Sequence, residues 1–166
     1  ECYEKIKAGA SLVQLYTALV YHGPKIINNI LKELDELITK VVAENFNIDM
    51  LNKRDDGQKM VYSEDVLYIK SGDMVTWLPT SKGHNVEFVV GPDAADLPKK
   101  PSKVNKEYTH TFTQPGIYLY QCSPHKSMGM IALIVVDDDT TNIETIKSTR
   151  VFGKSKKKLE ELTTGL

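Results

Sequence analysis

The 166-residue sequence has little of what marks a nucleic-acid, membrane or disulfide-framed protein. Its 21 Lys and Arg nearly balance 22 Asp and Glu, for a formal net charge of −1. No global charge therefore calls for a polyanion or an anionic lipid surface. No stretch approaches the roughly 18 consecutive apolar residues of a membrane span. The only cysteines, Cys2 and Cys122, stand far apart and make no disulfide framework. Histidine is scarce too, with His22, His84, His110 and His125. What is present, 41% apolar residues in a chain of this length, suits one globular domain with an appendage.

The chain changes character near residue 41. CYEKIKAG is helical in flavour, SLVQLYTALV reads as a strand buried on both faces, and Gly23-Pro24 then opens an amphipathic helix. Ile27, Ile30, Leu31, Leu34, Leu37 and Ile38 would line its apolar stripe. Lys5 and Lys7 before the apolar run give it a signal-peptide look, but the charged helix that follows argues against that reading. From residue 44 short strand-like runs recur: NIDMLN, MVYS, VLYIK, MVTWLP, NVEFVV, EYTHTFT, GIYLYQ and MIALIVV. Turn signals DDG, SGD, GPD and QPG separate them, as in a Greek-key sandwich. NIETIK and KSKKKLEELTTG then read as two helices on one side of it. The KSKKK run should be a solvated helix face, and Asp137 to Asp139 a polar link.

QCSPHKSMGM, residues 121 to 130, packs a thiol, an imidazole and two thioethers behind a strand. His84 lies just before another strand, 38 residues upstream of Cys122. Two imidazoles, a thiolate and a weak axial thioether are the ligand set of a blue-copper electron-transfer site. A lone Cys is otherwise a small buried hydrophobe, or a nucleophile beside a His base. Zinc is disfavoured, because closed structural sites take four Cys or His ligands. His22 and His110 do not suffice for a second, catalytic copper centre; His110 alternates with threonines and should be exposed. The chemistry is that of a carrier, not an oxidase.

Residues 44 to 166 resemble the cupredoxins, pseudoazurins in particular. The likeness rests on ENFNIDMLNK, VTWLPTSKGHNVE, TFTQPGIYLYQCSPHKSMGM and the helical tail. It implies an all-β, eight-stranded Greek-key sandwich with that tail and one copper, Cu(I)/Cu(II), held by His84, Cys122, His125 and Met130. Met128 competes with Met130 for the axial position, at amicyanin spacing, but the GHN context and the tail favour Met130. Asn85, Pro124 and Met128 would surround the ligands, with Asn85 tying the two ligand loops and steering a backbone donor to the Cys122 sulfur. His125 would be the electron exit. Lys53, Lys82 and Lys126 would ring an apolar patch for acidic redox partners, a cytochrome or a copper reductase. Gln121 stands where pseudoazurins often carry Lys, which would weaken or retarget docking. The resemblance further implies a periplasmic monomer without membrane insertion, serving a nitrite or other terminal reductase. A copper storage or delivery protein is the alternative within copper chemistry.

YEKIKAGASLVQLYTALVYHGPKIINNILKEL resembles the C-terminal end of the quinone-linked dihydroorotate dehydrogenases. That likeness implies a helix-strand-helix piece of a flavin-binding (β/α)8 barrel, residues 1–40, with Tyr16 and Thr17 at FMN-phosphate positions. One strand cannot close a barrel, and the catalytic base and orotate-binding residues are missing, so an inactive dehydrogenase fragment without FMN is expected. Val41-Val42-Ala43 resembles a signal-peptide end, yet ELDELITK precedes it instead of an apolar run. A joined or misassembled reading frame is the expectation.

Overall fold

The computed structural model describes residues 28, 31–33 and 43–166. The chain divides into two units, Glu1–Val42 and Ala43–Leu166. Residues 28 and 31–33 are helical. The expected strand at 11–20, most of the helix after Pro24, and Tyr16 and Thr17 lie outside the described residues.

The second unit is a sandwich of eight strands: β1 (Asn45–Lys53), β2 (Lys59–Tyr62), β3 (Val66–Ile69), β4 (Met74–Leu78), β5 (Glu87–Val90), β6 (Tyr108–Thr111), β7 (Gly116–Gln121) and β8 (Ile131–Val136). One sheet runs β2-β1-β4-β6 and the other β3-β8-β7-β5. β1 pairs parallel with β4, and β3 parallel with β8, so each sheet mixes hairpins with crossovers. Two helices follow, α1 (Ile143–Ser148) and α2 (Ser155–Thr164).

The strands differ in a way their sequences explain. β1 buries Ile48 and Met50 fully while their neighbours Asn47, Asp49 and Leu51 stay exposed or half-buried, as a sheet with one wet face requires. β7 and β8 are buried at every position. One face, Tyr118, Tyr120, Ala132, Ile134 and Val136, packs into the sandwich core with Trp77 and Phe112. The other, Ile117, Leu119, Ile131, Leu133 and Val135, is covered by Ile146 of α1, Val151, and Leu159 and Leu162 of α2. The unbroken apolar run IALIVV is thus a strand with two dry faces. Inside, Tyr120 lies between Trp77, edge-on at 5.2 Å between ring centroids, and Tyr62, tilted at 4.8 Å. Buried aromatic pairs of this geometry contribute about 0.5–1.5 kcal/mol beyond their area.

β7 and β8 form a hairpin whose last pair is Gln121 with Ile131, so residues 122–130 are its closing loop. Met130 precedes β8 rather than opening it.

Two expectations need correction, and a third gains detail. His110 is half-buried, not exposed: its ring lies 4.9 Å from Phe88 and 4.8 Å from Phe112, because the alternation of β6 turns it towards the sandwich interior. The KSKKK run is only partly a solvated face. Ser155 is fully buried, and Lys158 reaches Asp65 at 2.7 Å, with Arg54 on the same carboxylate at 3.1 Å. Asp137 to Asp139 are the polar link expected after β8, and Asp137 and Asp138 shape it into a tight turn at φ 58° and 55°. The Ser71 amide donates to Asp137 at 3.0 Å and Lys70 pairs with Asp138 at 2.8 Å, which holds these non-glycine residues in the left-handed region.

Burial lowers the His110 pKa, with Asp96 opposing more weakly. The unfolded imidazole takes up its proton near pH 6.5, the folded one only at lower pH. Between those values the unfolded chain binds more protons, so stability rises with pH and is lost on acidification. His110→Phe should therefore flatten the dependence of metal-free unfolding free energy on pH between about 7 and about 5, measured by urea titration. An unchanged slope would place the titration elsewhere.

Candidate metal centre

Cys122 follows β7 and caps a 3-10 turn, Ser123–His125, with Pro124 in its first turn. The His125 amide donates to the Cys122 carbonyl at 3.0 Å, and the Met128 amide to the His125 carbonyl at 2.9 Å. The Cys122 amide closes the loop onto the Met130 carbonyl at 3.0 Å. Gly129, at φ 102°, supplies the reversal that no β-branched residue would accept. His84 arrives from the β4–β5 connection.

Fold and loop together bring His84, Cys122 and His125 to one point, their ligand atoms all within 4.8 Å of one another. The Cys122 Sγ lies 3.7 Å from His84 Nδ1 and 3.4 Å from His125 Nδ1. Cys122 and His84 have no exposed surface, whereas His125 is half-buried. Met130 is fully buried in the same cluster as Cys122, Tyr62 and Val86. Met128 is 48% exposed and is not a member of that cluster. The donor set fits copper: a thiol and two inward-turned imidazole nitrogens, with a buried thioether alongside. Among the described residues it falls one Cys or His short of a closed zinc site.

The surroundings set protonation. His84 Nε2 meets Asn52 Oδ1 at 2.8 Å. That oxygen can only accept, so the proton sits on Nε2 and the Nδ1 lone pair faces the sulfur. Burial, then the neighbouring His125, lowers the His84 pKa and keeps the ring neutral. Burial raises the Cys122 pKa, opposed by backbone N–H groups of Asn85 and His125 that hydrogen-bond the sulfur, while the Glu87 charge adds to the rise. A cation is what such a thiol needs to ionise.

Asn85 links the loops. Its Oδ1 accepts from the Ser123 amide at 2.9 Å, and its Nδ2 donates to Ser123 Oγ at 3.1 Å and the Ser102 carbonyl at 3.2 Å. The Tyr62 hydroxyl donates to the Asn85 carbonyl at 2.9 Å. Gln121, 9% exposed, turns inward and donates to Glu87 at 2.9 Å; Ser123 Oγ donates to the same carboxylate oxygen at 3.0 Å. Gln121 is therefore a support of the loop and offers little to a docking partner. Lys53, Lys82 and Lys126 are exposed, as is Pro124.

Asn52, Glu87 and Asn105 escaped the sequence reading. Asn105 donates its amide to the His84 carbonyl at 3.0 Å and accepts from the Gly83 amide at 2.5 Å. It thereby anchors a connection carrying exposed Lys99, Lys100, Lys103 and Lys106 beside the His84 loop. The phrase LNK held Asn52, but no spacing rule joins a β1 residue to a histidine 32 positions on.

A family model described as copper binding proteins, plastocyanin/azurin family, matches residues 48–137. The pseudoazurin of Methylorubrum extorquens is 39% identical over 122 residues, covering 72% of this chain and 80% of that protein. That of Paracoccus pantotrophus is 34% identical over 120 residues, covering 71% and 81%. The solved structure of a Sinorhizobium pseudoazurin superposes with a TM-score of 0.69 at 40% identity, covering 73% of this chain and 94% of that one. Separately, a dihydroorotate dehydrogenase model matches residues 1–38. A quinone-type dihydroorotate dehydrogenase of Helicobacter acinonychis is 55% identical over 40 residues, 24% of this chain and 11% of that protein.

Asn52→Ala should free the His84 ring and lower Cu(II) affinity by about 10- to 100-fold in a chelator competition titration, the usual cost of losing an outer-shell partner. Unchanged affinity would mean that packing alone orients His84.

Proposed function

The chain belongs to the pseudoazurins, within the plastocyanin/azurin family of copper-binding proteins, and from that premise we propose that it is a one-electron shuttle whose copper is bound by His84, Cys122, His125 and Met130. Proteins of this family are electron carriers rather than enzymes, and they hold one blue copper. The observation that carries the ligand assignment is the convergence of two imidazole Nδ1 atoms on the buried Cys122 sulfur, at 3.4 and 3.7 Å. When bound, copper supplies the one-electron change between Cu(I) and Cu(II).

The residues do the rest by staying still. Both ligand loops are fastened by hydrogen bonds to Asn85, Asn52 and Asn105, so the same donor geometry serves both oxidation states. His84 and Cys122 are sealed from water, which keeps solvent from reorganising around a changing charge. His125, half-buried, is the ligand nearest to solvent and the electron's exit.

The partner, on this reading, is an acidic redox protein in the periplasm: a cytochrome on one side and a nitrite or other terminal reductase on the other. Exposed Lys53, Lys82 and Lys126 would steer it, an effect that speeds encounter and fades with salt. Residues 1–40 are proposed to be the C-terminal helix-strand-helix piece of a flavin-binding barrel. In support, the matching dehydrogenase is covered over 11% of its length.

One equivalent of Cu(II) should give an intense thiolate-to-copper visible band and a type 1 EPR signal, both absent from Cys122→Ser. A tetragonal copper spectrum indifferent to that substitution would refute the assignment. The triple reversal Lys53→Glu, Lys82→Glu, Lys126→Glu should slow electron transfer to an acidic cytochrome by about tenfold or more at low salt and weaken its salt dependence, in stopped-flow traces, with the visible spectrum unchanged. Equal rates would move the docking face elsewhere.

A further inference from the structure

Asn85 and Glu87 hold the closing loop of the β7–β8 hairpin from inside the molecule. Its outer side carries a second set of contacts, from residues 152–154 between α1 and α2 and from Ser155 at the start of α2. The Lys154 amide donates to the Ser127 carbonyl at 2.9 Å. Ser155, fully buried, donates its hydroxyl to the Lys126 carbonyl at 2.5 Å. Gly153, at φ 57°, lies so close that a Cβ there would collide with the Ser127 carbonyl oxygen. A Cβ on Gly129 would in turn touch Lys154 Cβ at 3.7 Å. The Lys126 ammonium sits 5.8 Å from the Phe152 ring centroid, with Arg150 at 5.5 Å from the same ring.

Every loop residue touched, 126 to 129, lies between His125 and Met130. The touching segment is itself fixed. Val151, Leu159 and Leu162 pack on Ile131, Leu133 and Val135, and Lys158 is tied to Asp65 at 2.7 Å. α2 thus begins as an extension of the loop's support and continues as a cover for the outer face of β8. A helix serving only as cover would need its leucines. It would not need a buried serine aimed at a loop carbonyl, or a glycine where any side chain would overlap the loop backbone.

We propose that residues 151–155 are a positioning clamp of the metal centre, fixing the spacing of His125 and Met130 through the Lys126 and Ser127 carbonyls. Resting as it does on the ligand assignment above, the clamp would fix where the Met130 thioether and the His125 imidazole stand, and the axial ligand is one of the features that tune a copper site of this kind. Its loss leaves the sandwich folded and the loop soft.

The test compares Ser155→Ala with Leu162→Ala in the full-length chain, the second removing apolar cover from α2 without touching the loop. In metal-free protein, hydrogen exchange at the Cys122 and Met128 amides should quicken by about tenfold in Ser155→Ala, the scale of one buried hydrogen bond, and not in Leu162→Ala. In copper-loaded protein, Ser155→Ala should shift the relative intensities of the thiolate-to-copper bands and the reduction potential. Leu162→Ala should lower only the melting temperature. Wild-type exchange and spectrum in Ser155→Ala would overturn the clamp, as would equal changes in both variants. A wild-type chain with no blue band at all would sink the copper assignment instead, and the exchange rates alone would then decide whether the clamp exists.

Discussion

The structure around the metal centre depends on the pairing of Asn85 with Ser123. One side chain accepts the amide of the residue after Cys122 and returns two donors, to Ser123 Oγ and the Ser102 carbonyl. It joins the loop that bears one imidazole to the loop that bears the thiol and the other. All these groups are buried or half-buried, so each would cost about 1–3 kcal/mol if left unpaired. The arrangement is therefore close to all-or-none: either both loops are in register and three donor atoms converge, or several polar groups are stranded together. The Tyr62 hydroxyl on the Asn85 carbonyl carries that register into the aromatic core.

Around this link the charges are arranged with restraint. The Glu87 carboxylate is shared by Gln121 and Ser123, both neutral, and forms no ion pair with a described residue. Its charge adds, more weakly than burial, to the rise in the Cys122 thiol pKa. The neutral Gln121 is thus part of the electrostatics of the site while contributing little surface. Charge that steers partners lies outside, on exposed lysines whose length and solvation separate them from the sulfur.

Much of this was legible in the sequence because the signals are local. The Cys-x2-His-x4-Met spacing sits on one hairpin loop, and the alternation of β1 and the apolar runs of β7 and β8 each report their own burial. The two C-terminal helices read correctly from their periodicity. What stayed illegible was set by neighbours far along the chain. Asn52 matters because β1 runs past the His84 loop. His110 looked exposed because its own strand is polar, and its packing against Phe88, 22 positions away, was not visible. Lys158 looked solvated because Asp65, 93 positions away, was not visible as its partner.

The parallel pairing of β1 with β4 and of β3 with β8 has a consequence for how the chain matures. β3 and β8 are brought side by side only after more than half of the sandwich has been made, since Val66 meets Leu133. Such non-local pairing carries a large loop-closure cost and places these domains among the slow folders. The hairpin holding Cys122 and His125 can form early, but His84 joins it only when the second sheet closes. The three-donor geometry therefore exists in the folded sandwich and not in the hairpin alone. Copper then acts by mass action on the finished state, lowering the unfolded fraction in proportion to its free concentration over its dissociation constant.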